Sequence, residues 1–245
     1  MSERALVFLM KDTGHAVAEI SSLEMSHLGS DGENLDVEKA PIPLKLIRKK
    51  TKSKIQTFVG EEAIGALNVY FDLRRRGTTD LYKGRWRGKK GLQPEILNGE
   101  SVVIAQKSGG HLSSERFSGI IGDLVKTAGI KADVRAHSIR RFFETTFENP
   151  EIGVHPAWIK RMMGYKLSQN ERAYSHPTVK QLREAYLKGY PFLRIQERSV
   201  NKELESEEIE KLRNKIEHLE SSKPQLESLL IRILELERKL TKSNQ

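Results

Sequence analysis

Between residues 137 and 174 the chain sets out His137-Ser-Ile-Arg140, then Gly164-Tyr165, then Tyr174-Ser-His-Pro. A histidine and an arginine one helical turn apart share a helical face, and a tyrosine follows in a separate polar segment. Together they are the parts needed to break a phosphodiester covalently. Phosphoryl transfer without a metal requires a nucleophile, cations on the nonbridging oxygens, an acid for the leaving group and a group that moves protons. Tyrosine suits the first role when the product must stay energised, because a hydroxyl can later attack the phosphotyrosine ester. Arginine suits the second, since its planar fork stays charged and reaches two phosphate oxygens. Taken singly, His137 reads as a helix cap, Arg140 as a surface cation, and Tyr174 as a core tyrosine no different from Tyr186 or Tyr190. Order and spacing are what single them out.

These residues need elements to hold them. Residues 136–193 read as helical, interrupted at Pro150, at 153–156 and at 164–170, the last being the connection that carries Tyr174 round. The final helix is expected over 178–188, ending at Gly189 and Pro191. Upstream, residues 3–10 are apolar enough to be a buried helix, which Asp12-Thr13-Gly14 breaks before a second helical pattern at 17–23. Opening on so apolar a helix raises the expectation of a fragment whose N-terminal part is missing. Residues 42–59 alternate around a basic centre and predict a hairpin turning near 49–53. Residues 61–75 form an amphipathic helix with Ala63, Leu67, Tyr70 and Phe71 as its stripe, 101–105 predict a short strand, and 113–128 a helix capped by Ser113 or Ser114. Beyond residue 200, Ile209, Leu212, Ile216 and Leu219 fit one heptad phase and Leu226, Leu229, Ile233, Leu236 and Leu240 another. Two helices joined at 221–224, kinked or folded as a hairpin, are expected there. The fold class is therefore α+β, mainly α, with a small antiparallel sheet and a C-terminal coiled coil or helical hairpin, divided as 1–199 and 200–245.

A net charge of +9 over 245 residues favours a polyanionic partner. The tail beyond residue 200 holds nine Lys/Arg against ten Glu, so the body carries about +10 and is the part that meets the polyanion. From Arg74 to Lys90 eight basic residues accompany one acid, Asp80, with Tyr82 and Trp86 interleaved, which predicts backbone contact with nucleic acid. The lack of cysteine excludes disulfide scaffolds, thiolate zinc sites and cysteine nucleophiles. The seven histidines show no helical metal-pair spacing, so no metal and no other cofactor is expected. No apolar run would span a bilayer and no signal-peptide layout opens the chain. A soluble, cytoplasmic protein is the expectation.

His137-Ser-Ile-Arg140-Arg-Phe-Phe resembles the HxxR box of the tyrosine recombinases, the phage and archaeal integrase family, and Met163-Gly164-Tyr165-Lys166-Leu167 resembles their LGH box. The family's nucleophile follows nine residues after its second histidine, and Tyr165 to Tyr174 is nine. Residues 12–23 are similar to the family's first arginine box, but Ala16 stands where that arginine belongs. The resemblance covers most of residues 1–195 and leaves the tail out. It implies Tyr174 as nucleophile, Arg140 as phosphate clamp, His137 as acid/base and phosphate ligand, and Lys50, with Lys52 as its rival, as the acid for the leaving 5′ oxygen. Tyr165 replaces the second histidine and can hydrogen-bond a phosphate oxygen without shuttling protons near neutral pH. Losing one clamping donor should cost on the order of 3 kcal/mol of transition-state stabilisation, roughly a hundredfold in rate. The implied activity is site-specific DNA recombination, attenuated by Ala16, in an inactivated variant or a naturally divergent enzyme. A type IB topoisomerase and a non-catalytic DNA-binding or assembly protein are the alternatives. The expected partners are double-stranded DNA, contacted by Lys49, Lys52, Lys54, Arg74, Arg75, Arg76, Arg85 and Arg87, and further copies of the chain as a dimer or tetramer. No membrane is expected as a partner.

Overall fold

The computed structural model describes residues 2–48, 52–77, 93–106 and 109–195, with Tyr174 described in its backbone alone. The chain divides into two units, 1–194 and 195–245. The second, including the heptads expected at 203–241, lies outside the described residues except for Ile195.

Among its described residues the first unit is mainly helical with one two-stranded antiparallel sheet, the class expected. Helix α1 (Ser2–Thr13) lies at its centre, burying Ala5, Leu6, Phe8, Leu9 and Met10 and then the polar Lys11, Asp12 and Thr13. It packs against α3 (Glu61–Arg76), α4 (Ser114–Thr127), α5 (Ala136–Glu148), α8 (Val179–Leu193) and strand β2 (Lys54–Val59). The buried polar end is a ligature. Lys11 Nζ donates to Asp12 Oδ1, Glu62 Oε2 at 2.8 Å and the Leu193 carbonyl at 2.9 Å, joining α1 to the start of α3 and the end of α8. Burial lifts the Asp12 carboxyl to about 6 although Lys11 pulls it down.

Strand β1 (Ile42–Ile47) pairs with β2 from Ile42 opposite Val59 to Ile47 opposite Lys54. Arg48 N–H to Ser53 O at 2.9 Å and Lys52 N–H to Arg48 O at 2.8 Å close the turn. The predicted strand at 101–105 does not form. Met25 N–H donates to Ser101 O and Val103 N–H to Leu23 O, so this stretch borders residues 23–25 through an isolated bridge, Glu24 opposite Val102. Its Val-Val-Ile composition serves the core instead, where Val103 and Ile104 are buried.

A second apolar cluster gathers Phe58, Phe143, Phe147, Met162, Tyr186 and Tyr190 between α5, α6 (Pro156–Met163) and α8. Helix α8 runs through Gly189 and Pro191 to Leu193, beyond its predicted end. Gly189 is where the Phe147 ring approaches so closely that a Cβ would stand 2.4 Å from it, so the glycine serves packing rather than termination. Pro191 falls in the last turn, where losing one hydrogen bond matters least. Among the described residues no helix is long and apolar enough to cross a membrane.

Candidate active site

Helix α5 buries a stripe at Ala136, Arg140, Phe143 and Phe147, so its arginine occupies a position that periodicity assigns to an apolar residue. Arg140 is 3% exposed. Nη1 donates to the Gly14 carbonyl at 2.6 Å and Nη2 to the Met163 carbonyl at 2.8 Å. Two glycines allow this approach. Gly14 has φ of 63° and lies against the Phe143 ring, where a Cβ would stand 2.5 Å away. Gly164 ends α6 with φ of 71° against Ile55, where a Cβ would meet Cγ1 at 2.5 Å. One guanidinium thus joins three segments distant in sequence: the break after α1, the first turns of α5 and the end of α6. No carboxylate pairs with Arg140 among the described residues, so its charge is buried without a counterion.

His137, exposed, borders a cavity of about 750 Å³ together with Ala16, Val17, Lys126, Asp133 and Arg140. Helix α5 and the break before α2 (Val17–Ser21) therefore bring Arg140, His137 and the short Ala16 side chain to one opening. A solvent-reached imidazole beside a buried cation can bind an oxyanion and exchange protons with it.

The Tyr165 ring stacks under the Arg140 guanidinium, 4.8 Å from its centroid, and the hydroxyl donates to Glu144 Oε2 at 3.3 Å. Helix α7 (Gln169–Tyr174) starts at Ser168, whose Oγ accepts from Glu171 N–H at 3.2 Å while Glu171 Oε2 accepts from Ser168 N–H at 2.8 Å. Lys160 of α6 donates to Glu171 Oε1 at 2.6 Å, and this hydrogen bond, with those from Ser168, holds the carboxyl down at about 2. Tyr174 ends α7; its side chain lies outside what is described. Tyr186 and Tyr190 are core residues, with Tyr186 donating to Asp12 O and Tyr190 accepting from Glu62 N–H. Burial raises both phenols above their ordinary value.

On the other side of Ala16 lies a cluster that the spacing of the sequence boxes does not reveal. His15 is fully buried, and neither ring nitrogen has a hydrogen-bond partner among the described residues. Burial, with the positive charges of Arg140 and then Arg48, pushes it down to about 3, so it is neutral at physiological pH. It lies in the break between α1 and α2 rather than on a helix face. Arg48 Nε donates to Glu19 Oε1 at 2.7 Å. Both Glu19 and His15 sit in the first-arginine segment, but Arg48 belongs to the basic hairpin, where nothing in the sequence distinguishes it from its neighbours.

Among the expected DNA contacts, Arg74 is corrected. It is 1% exposed, grips Glu95 through Nε at 2.9 Å and Nη2 at 2.7 Å, and donates through Nη1 to Val102 O. Arg74 therefore clamps residues 95–103 onto α3 and presents no surface cation. Arg75 is partly covered and engaged with Asp72, Asn34 and the Gly32 carbonyl. Arg76, Lys52 and Lys54 are exposed. Lys49, Lys50, Arg85 and Arg87, like Tyr82 and Trp86, lie outside the described residues.

The sequence family described as "Phage integrase family" matches residues 1–181. Tyrosine recombinase XerC of Oceanobacillus iheyensis is 24% identical over 189 residues, covering 77% of this chain and 53% of that protein. Tyrosine recombinase XerD of Corynebacterium glutamicum is 25% identical over 192 residues, covering 78% and 53%. Among solved structures, XerA recombinase aligns with a TM-score of 0.46 at 22% identity over 76% of this chain and 56% of that one. The lambda integrase catalytic core aligns with a TM-score of 0.42 at 17% identity over 67% and 84%. The chain spans about half the length of the curated relatives it matches.

Proposed function

The chain belongs to the phage integrase family, and from that premise we propose that it is the catalytic domain of a site-specific recombinase, cleaving and rejoining duplex DNA through a 3′-phosphotyrosine without metal or ATP. The observation that carries this reading is Arg140, a buried guanidinium without a carboxylate partner among the described residues, beside His137 on one cavity. A buried cation held only by carbonyls and a ring face is costly unless an anion completes it, and a DNA phosphate is such an anion.

In the proposed reaction Tyr174 Oη attacks the phosphorus, forming the P–Oη bond as the bond to the 5′ oxygen breaks. The phenolic proton leaves to His137, and Lys50, or Lys52, gives a proton to the departing 5′ oxygen. Arg140 holds the nonbridging oxygens as charge accumulates. The second step reverses the first with the hydroxyl of another strand, so the ester conserves the bond energy. Duplex DNA is the partner, its backbone met by Lys49, Lys52, Lys54, Arg75, Arg76, Arg85 and Arg87, and recombination between two sites calls for a multimer.

A suicide duplex, whose cleaved end diffuses away, tests the reading. The unmodified chain should accumulate a covalent DNA adduct that mass spectrometry places on Tyr174 and that Tyr174→Phe abolishes. An adduct on another residue, or none from either the unmodified chain or Ala16→Arg, overturns it. Supercoil relaxation by a monomer without joined recombinant products would favour the topoisomerase instead.

A further inference from the structure

A pentavalent phosphorus carries its charge on two nonbridging oxygens, and a cation for each stabilises it most. Two of the five N–H groups of Arg140 are committed to Gly14 and Met163, and Ala16 offers no charge. We propose that Arg48, at the end of β1, is the second cation of the phosphate clamp, reaching the cavity beside Ala16 and held in place by Glu19. This rests on the strand-cleavage reading and deepens it.

Three observations converge on Arg48. The two guanidiniums border consecutive carbonyls, Arg140 Nη2 donating to Met163 O at 2.8 Å and Arg48 Nη1 lying 3.5 Å from Gly164 O, which also accepts from Ser53 Oγ at 2.8 Å. Ala16 borders both the cavity of His137 and Arg140 and a second of about 180 Å³ lined by Glu19, Leu46 and Arg48. His15, with neither ring nitrogen hydrogen-bonded among the described residues, is held neutral first by its burial and then by the charges of both Arg140 and Arg48. Among the described residues Glu19 is the one carboxylate ion-paired to either guanidinium. Two like charges with one counterion, and that one on Arg48, leave a deficit of negative charge at this spot, which an incoming phosphate fills. Glu19 grips Nε, at the side of the fork, and so acts as a positioning residue. The guanidinium that the family resemblance places at position 16 comes here from the hairpin.

The test is a cycle of adduct rates on the suicide duplex. Arg48→Gln should lower the rate by about a hundredfold, Arg48→Lys less, because charge remains while the fork is lost. Ala16→Arg should restore Arg48→Gln to within a few-fold of the unmodified chain but add little when Arg48 is present, since Glu19 and the space are already taken. An Arg48→Gln rate within about twofold of the unmodified chain, or a gain from Ala16→Arg of about a hundredfold with Arg48 intact, overturns the proposal. Urea unfolding establishes that each variant folds, and Arg48→Lys serves should Arg48→Gln not. If the unmodified chain and Ala16→Arg form no adduct, the strand-cleavage reading fails on its own, and inorganic phosphate still probes the clamp. Phosphate binding weakened about tenfold in both Arg48→Gln and Arg140→Gln supports it, and unchanged affinity in Arg48→Gln overturns it.

Discussion

Arg74 and Arg140 are both nearly sealed from solvent, yet the molecule treats them oppositely. Arg74 meets Glu95 with two nitrogens and a carbonyl with a third, so its charge is answered and its fork largely used. Arg140 meets two carbonyls and the face of Tyr165, and no acid among the described residues answers it. A sealed cation whose fork is taken up by its counterion is scaffold, because removing either partner strands the other. A buried cation without one is, on the proposed reading, held ready by the fold for a charge that arrives from outside. The difference separates the region beneath the end of α3 from the junction of α1, α5 and α6.

The sharpest way to break that comparison is to remove each guanidinium in turn. Arg140→Gln should lower the adduct rate about a hundred- to a thousandfold while shifting the urea midpoint less than Arg74→Gln does. Arg74→Gln should cost about 3 kcal/mol of stability, the low end for a broken buried pair because Glu95 is partly exposed, and leave the rate per folded molecule near that of the unmodified chain. Equal destabilisation by the two changes would erase the distinction.

Both arginines show how far the sequence could be read. Position 74 continues the stripe through Ala63, Leu67, Tyr70 and Phe71, and position 140 lies on the stripe of Phe143 and Phe147, yet in the sequence Arg74 reads as one of the DNA contacts and Arg140, on its own, as a surface cation. What periodicity cannot supply is the partner: Glu95 lies 21 residues from Arg74, and the carbonyls that hold Arg140 are 126 and 23 residues away. The hairpin, α3 and the glycine after α6 were legible because alternation, amphipathicity and a left-handed helix end are local properties. The strand at 101–105 and the early end of α8 were misread because their outcome depended on residues 23–25 and Phe147. Arg48 offered no spacing at all, and only the folded hairpin carries it to Glu19.

Acid titration sharpens the comparison from the neighbouring groups. His15, held at about 3 against an ordinary 6.5, contributes stability that is present above 6.5 and is lost as pH falls through about 3. Asp12, raised from 3.8 to about 6, contributes stability that is full below 3.8 and is lost as pH rises through about 6. Between pH 6 and 4 the two oppose each other. His15→Leu should therefore leave the Asp12 effect exposed and gain stability on acidification relative to the unmodified chain, by up to about 1.4 kcal/mol per pH unit. Asp12→Asn should change the relative slope in the opposite direction. Urea unfolding at pH 6 and pH 4 measures both, and parallel slopes in all three proteins would show that neither group is perturbed by its burial.

Tyr165 tests whether the ring or the hydroxyl matters to the uncompensated charge. Its ring lies 4.8 Å from Arg140 and a desolvated cation–π contact is worth about 1–2 kcal/mol, so Tyr165→Ala should lower the adduct rate about tenfold. Tyr165→Phe keeps the ring and loses the hydrogen bond to Glu144, and should stay within about twofold, the cost of a weak bond between partly exposed groups. A large loss in Tyr165→Phe would instead place the hydroxyl on the phosphate.

The smallest effect belongs to the surface. Helix α7 carries Tyr174 but buries none of its other side chains, and it is held by the Ser168–Glu171 capping box and the ion pair to Lys160. Exposed pairs and caps are weak, so Glu171→Ala, which removes both, should slow adduct formation by only about three- to fivefold. Glu171→Gln retains a capping side chain and loses the charge, and should fall within about twofold of the unmodified chain. Measured with Tyr174 intact and DNA saturating, the two variants separate the cap from the ion pair. A loss from Glu171→Ala as large as that from Arg140→Gln would mean that the helix bearing the proposed nucleophile is as preorganised as the proposed clamp, and the contrast between a fixed interior cation and a lightly tethered helix would not stand.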